Sequence, residues 1–120
     1  MPHVVPLDEV GRLATDLSVL AEPHRLLVLG ELRGGPRSAG ALARATEMAP
    51  SLASHHLAVL LRAELVTRWR DGSFVYYALN RDRLGEVHQT LARWTKPTAA
   101  GRTPRAQADE LRDRGAAQAG

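Results

Sequence analysis

Cysteine is absent from the chain. That excludes a disulfide framework, a thiolate zinc finger and a cysteine nucleophile together. Aromatics are scarce: two Trp, two Tyr and one Phe among 120 residues. Aliphatic side chains must therefore do most of the packing, and a Leu/Ala/Val core suits helices. Lysine is nearly missing as well, since Lys96 is the one lysine among 16 cations. The pI near 10.2 thus reflects arginine rather than a large excess charge, for the net charge is +3. An arginine excess can follow base composition of the coding DNA as readily as a nucleic-acid ligand, so charge alone is a weak guide to the partner. No apolar run approaches the roughly 20 residues of a membrane span, and the first nine residues hold two acids and no basic start of a signal peptide. No membrane role is expected, and the expected compartment is the cytoplasm.

The length is that of one domain. Residues 95–120 hold Ala-rich clusters, prolines and glycines, with Leu111 as their one large aliphatic. Such a stretch cannot bury enough to offset the entropy of ordering. We read residues 1–6 as an arm, 7–94 as the folded domain and 95–120 as a disordered tail, in which a short helix around 104–114 would have nothing to pack on. Residues 1–94 carry 11 basic and 10 acidic groups and the rest carry 5 and 3, so the folded part is nearly neutral.

Hydrophobic spacing within 7–94 is helical almost throughout. Leu7, Val10, Leu13, Ala14, Leu17, Leu20 and Ala21 recur every three or four residues, with Asp8 and Glu9 placed to favour the dipole of a first helix. A second helix opens at Pro23 and is expected to end at Gly34-Gly35-Pro36. Ser38 is a good N-cap for a third, over 38–46. A fourth, over 50–64, puts Ala53, Leu57, Leu60, Leu61 and Leu65 on one stripe. The period then changes: 66–70 and 74–79 are β-prone, hold four of the five aromatics and flank Asp71-Gly72-Ser73, a strong hairpin signal. A fifth helix, over 81–94, carries Leu84, Val87, His88, Leu91 and Trp94 on one side.

Two helices joined by a short turn and followed at once by a hairpin describe a winged helix-turn-helix. The fold class is mainly α, with α+β character. In that motif the second helix of the pair enters the major groove. With Ala53 turned inward, Ser51, Ser54, His55, Ala58 and Arg62 turn outward, small or hydrogen-bonding groups of the kind that read base edges. Arg68, Arg70 and Ser73 fall on or beside the hairpin, where Arg can set affinity and register on phosphates. Taken alone, an outward face of Ser, His and Arg is also what an ordinary solvated helix shows. The turn and the wing, each with its own signal, strengthen the DNA reading.

Leu20-Ala21-Glu22-Pro23-His24-Arg25-Leu26, then Ser51-Leu52-Ala53-Ser54-His55-His56-Leu57, then Ala63-Glu64-Leu65-Val66 with Arg68-Trp69-Arg70-Asp71-Gly72, and finally Tyr76-Tyr77-Ala78-Leu79 stand in order along residues 7–94. In these motifs the chain resembles the ArsR/SmtB family of small bacterial winged-helix regulators. The resemblance implies a homodimer through the first and fifth helices that binds a near-palindromic operator in double-stranded DNA, usually as a repressor released by a metal ion. It also implies Ser51, Ser54 and His55 as base readers and Arg70 and Ser73 as wing contacts. Ala49 and Pro50 depart from the Ser and Gln common in the family, which removes a side-chain cap and one base reader. Leu52 stands where Thr is common and can touch a thymine methyl.

The family's thiolate site on the third helix has no cysteine here to form it. The family's Asp/His site on the fifth helix is replaced by Asn80-Arg81-Asp82-Arg83 and Ala92-Arg93-Trp94-Thr95. Of the five histidines, His55 is expected to serve DNA, His56 to be a partly buried, hydrogen-bonded residue and His24 to be solvated. His3 follows Pro2, whose amine becomes free on loss of Met1, and amine plus imidazole can chelate a borderline metal. The resemblance extends to a nickel and cobalt branch that recruits its N-terminal amine and adjacent His. A nickel-class site of His3 with His88, aided by Glu86 or Asp8, is the expectation that follows.

Three other readings compete. Catalysis is disfavoured, because no activated nucleophile, paired carboxylate or phosphate-cradling loop accompanies His55-His56. A module that binds a metal or a partner protein without using DNA suits the near-neutral folded part. A DNA binder with no metal effector, controlled by a partner protein, suits the loss of both common metal sites.

Overall fold

The fold was obtained as a computed structural model, which describes residues 5–97 and Arg112. Its elements run α1 (Leu7–Leu20), α2 (Pro23–Glu31), a 3-10 turn (Leu32–Gly34), β1 (Arg37–Ser38), α3 (Ala39–Ala45), α4 (Pro50–Arg62), β2 (Val66–Asp71), β3 (Phe74–Leu79) and α5 (Arg81–Thr95). His3 and nearly all of the expected tail lie outside the described residues. No helix among the described residues is long and apolar enough to cross a membrane.

Local chemistry sets the boundaries. Pro23 opens α2 where its missing N–H costs nothing, and Glu22 caps the helix by accepting the Arg25 N–H. The α-helical part of α2 stops at Glu31, short of the expected Gly34, because the last turn tightens to 3-10 geometry before Gly35. Gly35, at φ 133, takes a conformation that a side chain would strain. Ser38 caps α3, accepting the Ala41 N–H at 3.1 Å. It also belongs to β1, a strand the sequence reading missed.

The sheet is antiparallel in the order β1-β3-β2, with Arg37 opposite Tyr77 and Ser38 opposite Tyr76. The hairpin register sets Trp69 against Tyr76, and their rings stack with centroids 5.9 Å apart. Asp71, expected in the turn, pairs with Phe74 as the last residue of β2. Gly72 at φ 61 and Ser73 then make a two-residue loop.

Val28, Leu32, Leu42, Leu57, Leu60, Leu65 and Val66 are the largest fully buried side chains. They draw α2, α3, α4 and the base of the hairpin into one core. α1 is held by part-buried polar bonds: Arg25 Nε of α2 donates to the Val19 carbonyl at 2.6 Å, and Arg83 at the start of α5 donates to Asp16 at 2.7 Å. That bond raises the Arg83 pKa further above its ordinary value, against the opposing pull of burial. Among the described residues the chain divides after Thr90, so the end of α5 belongs to a second unit.

Candidate nucleic-acid interface

Two helix ends position α4. α3 closes with Glu47 in the left-handed region at φ 55, while the Met48 N–H bonds Ala43 at 2.9 Å and the Glu47 N–H bonds Arg44 at 3.2 Å. α4 closes in the same way: Glu64 sits at φ 60, the Leu65 N–H bonds Leu60 and the Glu64 N–H bonds Leu61, each at 3.0 Å. Both are Schellman closures, with glutamate in the place that glycine usually takes. Each reverses the chain and buries the next residue, Met48 or Leu65. Asn80 then joins the wing to the last helix. Its side chain donates to the Glu64 carbonyl at 2.9 Å, and its Oδ1 accepts the Arg83 N–H at 3.2 Å.

α4 thus lies with Ala53, His56, Leu57 and Leu60 buried. Ser51, Ser54, His55, Ala58 and Arg62 are exposed, as the sequence spacing requires, and Leu52 is exposed beside them. Arg68, Arg70 and Ser73 are exposed on the hairpin. Alternation places Arg68 and Arg70 on one face of β2, the face that also carries buried Val66. Arg25, Arg33, Arg37, Arg81 and Arg83 are all occupied by protein acceptors, Arg37 by Glu31. Arg62, Arg68 and Arg70 have no such partner among the described residues. The α4 start differs from those of α2 and α3: Ala49 offers no side-chain cap, which leaves the first N–H groups open.

Behind this face, Glu22, His24, Arg25 and His56 form a polar cluster. Glu22 accepts from the Arg25 backbone at 2.9 Å and lies 3.0 Å from His24 Nδ1 and 3.8 Å from His56 Nδ1. The His24 hydrogen bond, followed by that of the Arg25 backbone, holds the Glu22 carboxyl at about 2, below its ordinary 4.5. Burial pushes the His56 pKa down; Glu22 opposes that shift and Arg25 adds to it. Arg25 NH1 stands 3.3 Å from His56 Nδ1, and Arg25 Nε donates to the Val19 carbonyl at 2.6 Å. His56 matches its expectation as a buried, hydrogen-bonded histidine. His24 does not match its own: instead of pointing freely into water it is half-exposed and stacks on His56 with centroids 5.3 Å apart.

Glu22, His24 and His56 are the one group of three metal-capable donors that lie together among the described residues. Sequence reasoning missed it because Glu22 and His56 are far apart along the chain. The Glu22-x-His24 spacing at a helix start was the available signal. His88, in the other predicted metal pair, is exposed on α5.

Three helices, a helix-turn-helix pair and a wing define a winged helix-turn-helix protein. The family model for "Bacterial regulatory protein, arsR family" matches residues 22–68. The HTH-type transcriptional regulator NmtR of Mycobacterium tuberculosis is 41% identical over 76 residues, covering 62% of this chain and 63% of that protein. The crystal structure of NolR from Sinorhizobium fredii is similar at 32% identity and a TM-score of 0.62, over 79% of this chain and 94% of that one. A solution structure from Mycobacterium bovis, the homodimeric winged helix-turn-helix DNA-binding domain of a possible ArsR-family regulator, is similar at 36% identity and a TM-score of 0.57. It covers 72% of this chain and 81% of that one. The chain belongs to the ArsR family of bacterial regulators, as its motifs led us to expect.

Proposed function

We propose that this chain is a transcriptional regulator that reads a near-palindromic operator in double-stranded DNA as a homodimer. One observation carries the reading: the eight residues singled out for DNA are all exposed, on the outward side of α4 and on the hairpin beside it. Ser51, Leu52, Ser54 and His55 would meet base edges, with Leu52 against a thymine methyl. Arg62, Arg68, Arg70 and Ser73 would hold phosphates, and so would the uncapped start of α4. Dimerisation is supported by the apolar residues left exposed on α1 (Leu7, Val10, Leu17) and on the end of α5 (Leu91, Trp94). The similar Mycobacterium bovis domain is a homodimer. The effector in this reading is a borderline metal of the nickel class, which suits a chain without thiols, His3 and His88 being the donors the sequence offers.

Fluorescence anisotropy with the chain's own upstream DNA tests the proposal. A palindromic site should bind, with affinity falling steeply as salt rises. Arg70→Ala should weaken every sequence alike and reduce the salt slope by about 1, whereas Ser54→Ala should change preference at one base position. Absence of binding at low salt would favour a module that uses a partner other than DNA.

A further inference from the structure

Three donors from two helices meet behind the proposed DNA face. Glu22 is the N-cap of α2, His24 lies in its first turn and His56 in the middle of α4. Their donor atoms all lie within 4.8 Å of one another. Packing enforces this closeness, since His56 is 6% exposed and the His24 ring lies nearly parallel to it, at 12°. We infer that Glu22, His24 and His56 bind a divalent first-row transition ion of the zinc, nickel and copper group, through two imidazole nitrogens and one carboxylate oxygen. The inference goes beyond DNA reading and does not depend on it.

The donor chemistry selects the ion. Imidazole suits zinc, copper and nickel, whereas magnesium and calcium prefer all-oxygen shells. Two His and one Glu also make a three-ligand zinc set, which leaves a further position for water. Metal binding requires deprotonated donors. His24 and the Arg25 backbone hold the Glu22 carboxyl low, and burial disfavours the charged form of His56. The neighbouring cation decides how the site fills. Arg25 NH1 occupies His56 Nδ1 at 3.3 Å, so an ion must take that place while the Nε bond to Val19 keeps the guanidinium close by. A weakly held ion loses this contest, which favours metals with strong imidazole bonds. His24, with a side chain 44% exposed, opens the site to solvent and can turn to complete it. A bound ion would fasten the start of α2 to the middle of α4, beside His55.

Cobalt(II) titrated into the full chain and followed by its visible d–d absorption tests the site. The expected result, in a chain that already carries His88→Ala, is a saturable band that zinc removes, weakened at least about tenfold by His24→Ala and by Glu22→Gln. His24 is half-exposed, so its replacement should leave the far-UV circular dichroism intact, and Glu22→Gln keeps an oxygen for the cap. No band from the chain, or a band that survives His24→Ala, overturns the inference. A band lost in His88→Ala overturns it too, by placing the ion on α5.

Discussion

His55 and His56 are adjacent in sequence and opposite in circumstance. His56 turns inward, buried beside Glu22 and Arg25, while His55 is exposed among Ser51, Ser54, Ala58 and Arg62. Their rings still touch edge to face, with centroids 5.2 Å apart. The side chain is the same, so angular position on α4 alone decides which histidine is buried and which faces outward. The inner face should respond in stability and the outer face in binding.

The largest effect is expected deep on the inner face. Leu60 is wholly buried, so Leu60→Ala should cost about 2–5 kcal/mol in urea denaturation. A smaller loss at that position would mean that the two faces differ less than the packing indicates.

Next comes acid. The His56 pKa is lowered in the fold, so the unfolded chain takes up the proton first. The contribution of His56 is complete above about pH 6.5 and drains away as pH falls below it. Glu22 acts in the same direction further down. Its carboxyl is held at about 2 against 4.5, so its contribution is present above 4.5 and is lost as pH falls towards 2. Urea midpoints measured from neutral pH down to about pH 5 should therefore decline, and His56→Gln should flatten that decline where His55→Gln does not.

The smallest effect on stability belongs to the outer face. His55→Ala should stay within about 0.5 kcal/mol of the parent in the same denaturation. Its discrimination between operator bases should nevertheless change by about 1–3 kcal/mol, measured by anisotropy on single-base variants of the bound site.

Most of the helical frame and the outward face of α4 could be read from the sequence, because each rests on local rules: Ser38 as a cap, Pro23 at a first turn, the apolar stripe ending at Leu65, Asp71-Gly72 at a reversal. The features that escaped depend on distance. β1 is two residues long and is defined only by pairing with Tyr76 and Tyr77, so it leaves no periodic trace. The two Schellman closures carry glutamate, which no glycine-based rule for helix ends detects. His24 was assigned to water because nothing beside it in sequence shows that His56 folds against it. Glu22, His24 and His56 come from a cap, a first turn and a helix interior, so their meeting leaves no local pattern in the sequence.

The strand order has a consequence for solubility. β3 is sandwiched between β1 and β2, so β2 presents its far side as a border of the sheet. Borders of this kind invite a strand from a neighbouring molecule to add on and begin aggregation. Arg68, Arg70 and Asp71 fill half of β2 with charge, and two guanidinium groups that repel a second copy of themselves would keep such borders apart. The arginines assigned to phosphates would then also guard the free protein against its own kind.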